Sequence, residues 1–197
     1  MKLLLHACCA PCSIKSVELL NAEGIQVLLF WYNPNIHPFT EYNARLDSLR
    51  LFAKENRIGL VEECNTERHG GTQRTQRYKS GEEESSVSSV PLCNLRDRCA
   101  VCYRIRLKRA AEVAAENGCD AFSTTLFISP YQNHELIRQI GEEEAGLAAS
   151  GATRRLEFFY RDFRPVFRES QSAARLAGYY MQKYCGCIYS EQERRRR

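Results

Sequence analysis

The feature that most constrains the fold is a series of short apolar runs separated by segments with helical periodicity. "KLLLH", "IQVLLFWY" and "GLVEE" come first, and "CDAFSTTLF" and "LEFFYRDF" follow later. Each is short enough to be a buried strand. Between them, apolar residues recur at helical spacing, for example at Tyr42, Leu46 and Leu49. Repeated strand–helix units predict one α/β domain over 1–197, with a parallel sheet and helices on both faces.

Local signals predict where the helices begin and end. Ser13 is expected to cap a helix that runs to about Glu23, because serine is a favoured N-cap and Gly24 follows where a helix-ending glycine belongs. Pro130 is expected in the first turn of a later helix. The last helix is predicted to reach the "CGC" sequence near the C-terminal end. We further predict a surface excursion at 65–92 and a flexible loop at 142–153.

The cysteine content is high, at 10 of 197 residues. A disulfide framework is typical of short secreted chains, but the apolar run after Lys2 ends at His6 and is much shorter than the roughly 7–15 residues of a secretory signal. The same shortness argues against a lipid-attachment site, and no later run is long enough to span a bilayer. We therefore expect a cytoplasmic protein with no membrane partner. Clustered cysteines in such a protein favour metal or redox chemistry.

The first cysteine set is Cys8, Cys9 and Cys12, in the sequence "HACCAPCS". It follows the first predicted strand directly. Ligands of open parallel sheets bind beyond the carboxyl ends of the strands. The position of this set therefore predicts a functional site rather than a packing cluster.

The second set is Cys99 and Cys102, in "RCAVC". At the expected start of a helix these two thiols share a face and can bind one ion or cluster. The helix N-terminus and the charges of Arg98 and Arg104 are expected to lower their pKa values. This spacing alone is compatible with zinc, with a dithiol or with half of an iron–sulfur site.

Two further thiolates from Cys8 and Cys9 would complete four ligands. Adjacent cysteines crowd a tetrahedral zinc ion, whereas a [4Fe–4S] cluster offers separate iron corners. A cluster is therefore favoured over structural zinc, and the plain alternative is a group of unrelated packed cysteines. Cys64 and Cys119 are expected to be simply buried, and Cys93 stays unassigned.

The third set is Cys185 and Cys187, separated by Gly186 in "YCGC". Two thiols this close can form a strained and easily reduced disulfide, which suits catalysis rather than stability. Two further metal ligands, or coincidence near a helix end, are the alternatives.

Charge patterning adds a possible nucleic-acid partner. The net charge is only +4, but basic residues cluster in two segments, arginines are interleaved with Phe and Tyr in a third, and the chain ends in four arginines. Such segments suit phosphate contacts and base stacking. The alternative is a solvated surface that balances 24 acidic residues. The three segments are 68–79, 96–109 and 154–168.

The remaining polar residues are less informative about function. His6 and His37 lie near predicted strand ends, where a hydrogen-bonded structural role is commoner than a catalytic one. Asp162 stands between arginines and is expected to form an ion pair. The chain has no Walker A loop and no G-x-G-x-x-G sequence, so nucleotide binding through a glycine-rich loop is not indicated.

Several of these motifs resemble the QueH family of epoxyqueuosine reductases over nearly the whole chain. They are "HACCAPCS", "FWYNPNIHP", "RCAVCYRIRL", "FSTTLFISPYQNHELI", "FFYRDFRP", "FRESQ" and "QKYCGCIYS". The resemblance implies a fold like the adenine-nucleotide alpha-hydrolase (PP-loop) group, with cysteines in place of the phosphate loop. It implies reduction of the epoxide of epoxyqueuosine in tRNA, the last step of queuosine biosynthesis.

The resemblance also implies roles for individual cysteines. A [4Fe–4S] cluster would be held by Cys8, Cys9, Cys99 and Cys102, and a redox-active pair would be Cys185 and Cys187. A second, mononuclear iron would lie near the cluster, with Cys12 as its candidate ligand. The expected partners are tRNA carrying epoxyqueuosine at the anticodon and an unidentified electron donor.

Two other functions stay open at this point. An iron–sulfur enzyme of PP-loop type that thiolates tRNA would need ATP, and the missing glycine-rich loop counts against it. A zinc-stabilised RNA-binding module would need no catalysis at all and would be colourless.

Overall fold

The computed structural model describes residues 1–63, 95–149 and 155–196. The predicted excursion at 65–92 lies outside these ranges, as do Cys64 and Cys93. The strands are β1 (Lys2–His6), β2 (Gln26–Trp31), β3 (Gly59–Glu62), β4 (Ala121–Thr124) and β5 (Glu157–Phe158). The helices are α1 (Ala10–Ala22), α2 (Phe39–Glu55), α3 (Leu95–Glu116), α4 (His134–Ala149), α5 (Phe167–Leu176) and α6 (Ile188–Arg195). Short 3-10 turns lie at Thr125–Ile128 and Arg164–Val166.

The five strands form one parallel sheet in the order β3-β2-β1-β4-β5. The chain first moves outward from β1 to β3 and then crosses to β4 on the other side of β1. Since parallel crossovers are right-handed, this reversal places α1 and α2 on one face and α3 and α4 on the other. The predicted fold class is confirmed. The point of reversal, between β1 and β4, opens a crevice at the carboxyl ends of these strands.

The central strand explains why the first apolar run is continuous rather than alternating. Leu3, Leu4 and Leu5 are completely buried, because helices cover both faces of the sheet. Each such leucine stabilises the fold by about 1.5–3 kcal/mol relative to an exposed side chain. None of the helices in the described ranges is long and apolar enough to cross a membrane.

Helix α1 begins earlier than predicted. Pro11 occupies its first turn, Cys9 is the N-cap residue, and the Ser13 hydroxyl donates to the Cys9 carbonyl over 2.9 Å instead of capping the helix. Gly24 has a φ of +73°, as expected for a residue that ends a helix. The earlier start places Cys12 inside the first turn, next to the loop cysteines.

Helices α3 and α4 also begin or end at residues other than those predicted. Helix α3 begins at Leu95, so Cys99 lies about one turn and Cys102 about two turns inside it rather than at its start. Helix α4 begins only after the turn that contains Pro130. It then continues to Ala149, so the first part of the segment predicted as a flexible loop is helical.

The prediction of the last helix is wrong for its second half. Helix α5 ends at Leu176, and Gly178 follows with a φ of +73°. The next residues, up to the "CGC" sequence, form an irregular segment, and α6 comes after it. The strand predicted from "LEFFYRDF" is reduced to Glu157–Phe158, and β4 ends at Thr124.

Candidate active site

The three cysteines after β1 form one close group. Their Sγ atoms all lie within 4.8 Å of one another, and all three side chains are buried. The backbone N–H of Cys8 donates to Thr125 Oγ1 over 3.2 Å, which ties this loop to the end of β4. The group therefore lies at the predicted edge of the sheet, with Cys12 as a full member. Among the described residues, this close group does not include Cys99 or Cys102.

The three thiols differ in acidity. Hydrogen bonds from Cys12 and Cys9 lower the pKa of Cys8 well below its usual range, and the charge of Arg45 adds to this effect. Burial raises the pKa of Cys9. The pKa of Cys12 is also raised, because its thiol donates to Cys8. Cys8 is thus the first of the three to carry the thiolate that binds metal ions.

Cys102 on α3 is held by a partly buried relay of hydrogen bonds. Asn35 Nδ2 donates to the Cys102 Sγ atom over 2.9 Å. Arg106 in turn donates to Asn35 Oδ1 through Nε at 3.1 Å and Nη2 at 2.7 Å, and it is only 2% exposed. Sequence reasoning missed this relay. The "NPNIHP" sequence predicts a rigid turn, but it does not indicate that Asn35 in this turn contacts Cys102 and Arg106 on α3.

The prediction of a lowered pKa is wrong for Cys99. Burial and the neighbouring Cys102 raise the pKa of Cys99, and Arg98 only partly opposes them. Arg104, the other expected source of positive charge, is paired with Glu143 and Glu144 on α4 instead. Because α3 starts one turn earlier, Cys99 is also farther from the helix N-terminus, where the dipole acts.

The third set lies in the irregular segment between α5 and α6. Cys185 and Cys187 are free thiols. Gln132 Nε2 lies 3.6 Å from Cys185 Sγ and donates to it, and the Cys187 thiol lies 3.4 Å from the Ser190 hydroxyl. Desolvation raises the pKa of Cys185, so this thiol is protonated at neutral pH.

A cavity of about 420 Å³ brings the first and third sets together. Cys8 and Cys12 line it from one side and Cys185 from another. Its lining also includes polar and charged side chains suited to a polar ligand, namely Gln132, Gln171, Gln182, Lys183 and Arg194. Tyr131, which is 86% exposed, and Phe167 contribute aromatic rings to the same cavity.

Several predicted side-chain roles can be compared with the structure. His6 is buried between Thr124 Oγ1 at 3.0 Å and the Tyr32 carbonyl at 3.2 Å, which confirms a structural histidine. Burial, with a smaller contribution from Arg106, lowers its pKa to about 4. Cys119 is buried, as predicted.

Many arginines of the predicted basic segments are paired with carboxylates. Asp162 forms the expected ion pair, with Arg164 at 2.6 Å. Arg109 binds Glu63 at 2.5 Å, and Arg98 binds Glu193 at 2.5 Å. The segment 68–79 lies outside the described residues. The alternative reading of these segments, a balanced surface, therefore holds for part of the chain, and the cations Lys183 and Arg194 at the cavity are the better candidates for phosphate contacts.

Comparison with known proteins places the chain in a family. The family model for the epoxyqueuosine reductase QueH matches residues 3–193. The chain belongs to the QueH family. Among curated QueH proteins, that of Dehalococcoides mccartyi is 36% identical over 193 residues, covering 98% of this chain and 94% of its own length. That of Acinetobacter baylyi is 34% identical and covers 99% and 83%, respectively.

A solved structure gives independent support for the fold of this QueH chain. The U34-tRNA thiolase NcsA from Methanococcus maripaludis, determined with its [4Fe-4S] cluster, superposes with a TM-score of 0.55 at 16% identity. The match covers 96% of this chain and 61% of the thiolase. At this identity the similarity concerns the fold alone, and it agrees with the predicted PP-loop-like architecture.

Proposed function

We propose that this chain is an epoxyqueuosine reductase that converts epoxyqueuosine in tRNA to queuosine, the last step of queuosine biosynthesis. The observation that carries the proposal is the cavity into which Cys8, Cys12 and Cys185 all open. Two members of the close thiol group and one thiol of the separate pair therefore face the same space of about 420 Å³. Since the substrate is tRNA, we place the reaction in the cytoplasm.

The proposed cofactor is a [4Fe–4S] cluster held by Cys8, Cys9, Cys99 and Cys102. The donor set fits this group, because cysteine thiolates are the usual ligands of such clusters. When bound, the cluster supplies single electrons. Cys12 lies within 4.8 Å of Cys8 and Cys9, so it is the candidate ligand of a second, mononuclear iron.

The reaction needs two electrons and two protons. Both C–O bonds of the epoxide break, a C=C bond forms, and the oxygen leaves as water. Oxidation of the Cys185 and Cys187 thiols to a disulfide releases two electrons and two protons. We propose that this pair supplies both electrons and both protons, and that an external electron donor then reduces the disulfide. Cys185 lines the cavity and desolvation raises its pKa, so this thiol is the candidate proton donor to the epoxide oxygen.

The mouth of the cavity suits an RNA strand. Tyr131 stands edge-on to Phe167, with ring centroids 6.4 Å apart, and offers an exposed face for stacking of an anticodon base. Lys183 and Arg194 add positive charge for the phosphates. The modified base would be extruded from the anticodon stack into the cavity.

The test uses anaerobically purified, reconstituted protein and tRNA that carries epoxyqueuosine. We expect the wild-type protein to produce queuosine, and the Cys187→Ser variant to lose turnover while it keeps iron, sulfide and the broad cluster absorption near about 400 nm. A Cys119→Ala variant is the matched control, since Cys119 is a buried thiol outside the cavity lining. Full turnover by Cys187→Ser with an intact cluster would contradict the role of the pair.

A tRNA-thiolating enzyme is the second candidate, because the NcsA thiolase shows that such an enzyme can have this fold. Such an enzyme activates tRNA with ATP. In this chain the loop after β1 carries Cys8 and Cys9 in place of a glycine-rich phosphate cradle. Turnover that needs no ATP would exclude this candidate, and iron and sulfide analysis would separate both enzymes from a zinc-stabilised RNA-binding module.

A further inference from the structure

Arg45 connects helix α2 to the segment that carries the third cysteine set. Its side chain is completely buried. Nη1 donates to the Cys185 carbonyl over 3.1 Å, and Nη2 donates to the Tyr184 carbonyl over 2.9 Å. A buried guanidinium bound to two consecutive main-chain carbonyls restricts the position of the backbone, whatever the side chains do.

The charge of Arg45 is balanced from its own helix. Arg45 Nε donates to Glu41 Oε1 over 2.7 Å, and Glu41 also accepts from the Tyr180 hydroxyl. The planar guanidinium thus binds a carboxylate and two carbonyls at once. A lysine ammonium, which is a single point charge on a flexible stem, does not reproduce this arrangement.

Gly186 fits closely against the same guanidinium. Its φ is +120°, and a Cβ atom there would lie 3.1 Å from Arg45 Nη1 and 3.3 Å from Nη2. From the other side, the His37 backbone N–H donates to the Gly186 carbonyl over 2.7 Å, and the Tyr184 hydroxyl donates to the His37 carbonyl. The backbone of residues 184–186 is therefore held between α2 and the turn that precedes it.

We infer that Arg45 is a positioning residue for the thiol pair, fixing the backbone of 184–186 so that Cys185 faces the cavity shared with Cys8 and Cys12. This inference rests on the proposed role of Cys185 and Cys187 in the reduction. Arg45 does not line the cavity, so it does not touch the substrate. Besides the hydrogen bonds from the neighbouring thiols, the charge of Arg45 also lowers the pKa of Cys8, and Arg45→Lys keeps that charge while it removes the contacts with the segment.

The test compares two variants with a control on the same helix. Arg45→Lys keeps the charge but loses the fork of donors. The double variant Arg45→Met with Glu41→Gln removes the buried charges together, which avoids leaving a lone buried carboxylate. The control is Arg50→Met, since Arg50 is about half exposed and pairs with Asp47 and Glu62 at the surface.

Two measurements are made on cluster-loaded protein. The first is hydrogen–deuterium exchange of the peptide that contains residues 184–187, where we expect exchange about tenfold faster in both Arg45 variants and unchanged in Arg50→Met. The second is turnover of epoxyqueuosine tRNA, where we expect kcat to fall by about tenfold or more while KM changes less than about twofold.

The outcomes separate this inference from the proposed function. Wild-type exchange in 184–187 in both Arg45 variants would overturn the inference, and so would exchange that rises equally in β1, because the effect would then be global. A fall in kcat matched by a rise in KM also contradicts a pure positioning role. If even the wild-type protein fails to reduce epoxyqueuosine tRNA, the proposed function fails, while the exchange result still decides whether Arg45 holds the segment.

Discussion

Replacing Asn35 by alanine should destabilise the protein far more than a substitution in a turn normally does. Asn35 Oδ1 accepts two hydrogen bonds from Arg106, whose side chain is 2% exposed. Within the described ranges, Asn35 Oδ1 is the acceptor of the Arg106 hydrogen bonds. A hydrogen bond to a charged group contributes about 1.5–3 kcal/mol, and a buried charge that loses its partner costs more. We expect Asn35→Ala to lower the free energy of unfolding by about 3 kcal/mol, a factor of roughly 100 in the folding equilibrium.

Asn35→Asp is the matched variant that separates stability from the properties of the metal site. It keeps an oxygen for Arg106 but replaces the Nδ2 donor that lies 2.9 Å from Cys102 Sγ. We therefore expect stability within about 1 kcal/mol of the wild type, because the new carboxylate pairs with the buried guanidinium. With Cys102 as the proposed cluster ligand, the reduction potential of the reconstituted cluster should fall, since a hydrogen bond to its sulfur is lost and a negative charge is added nearby.

Anaerobic urea denaturation measures the first quantity, and a spectroscopic redox titration of the reconstituted protein measures the second. An Asn35→Ala protein within about 1 kcal/mol of wild type would refute the stability argument, because the buried guanidinium would then have another partner. An unchanged reduction potential in Asn35→Asp would show that Cys102 is not a ligand of the cluster, or that Asn35 does not donate a hydrogen bond to the Cys102 sulfur.

Three further predictions follow from single contacts. A Cβ at Gly141 would lie 2.4 Å from the Phe158 ring, whereas one at Gly146 would meet open space. In thermal denaturation, Gly141→Ala should therefore lower the free energy of unfolding by about 1–3 kcal/mol, and Gly146→Ala should raise it by about 0.5–1 kcal/mol. Changes of the same sign and size in the two variants would contradict the packing of Gly141 against Phe158. Tyr131→Ala should weaken tRNA binding by about 1–3 kcal/mol while Tyr131→Phe keeps it, and equal losses in a binding titration would exclude stacking. Lys183→Gln should reduce the slope of log Kd against log salt by about one, and an unchanged slope would remove Lys183 from the phosphate contacts.

Much of the fold was predictable because its signals are local. A strand buried on both faces must be continuously apolar, so Leu3–Leu5 identified β1 and the parallel sheet followed from the repeated strand–helix order. The cysteine group after β1 was predictable for the same reason, since position in a βα unit fixes which edge of the sheet a loop reaches. Errors concentrated at helix ends, where Pro11 and Gly178 decide the boundary through backbone geometry.

The contacts between the cysteine sets were not predictable from local signals. Arg45 falls beside the apolar stripe of α2, and a charged residue there is normally read as solvated. Its partners, the carbonyls of Tyr184 and Cys185, are main-chain atoms and leave no pattern in the sequence. The Asn35 contact with Cys102 joins a turn and a helix 67 positions apart. Only the tertiary packing of α2 and α3 on the two faces of the sheet brings these groups together.

The long sequence separations within the site bear on when the protein can acquire the proposed cluster. Cys8 meets Thr125 across 117 positions, Arg45 meets Cys185 across 140, and Cys12 meets Gln182 across 170. Contacts of this kind form late in folding, since the loop-closure entropy must be overcome before they stabilise the chain. We therefore expect the thiols to stay scattered in folding intermediates, so that iron and sulfide are inserted into the nearly native protein rather than guiding its folding.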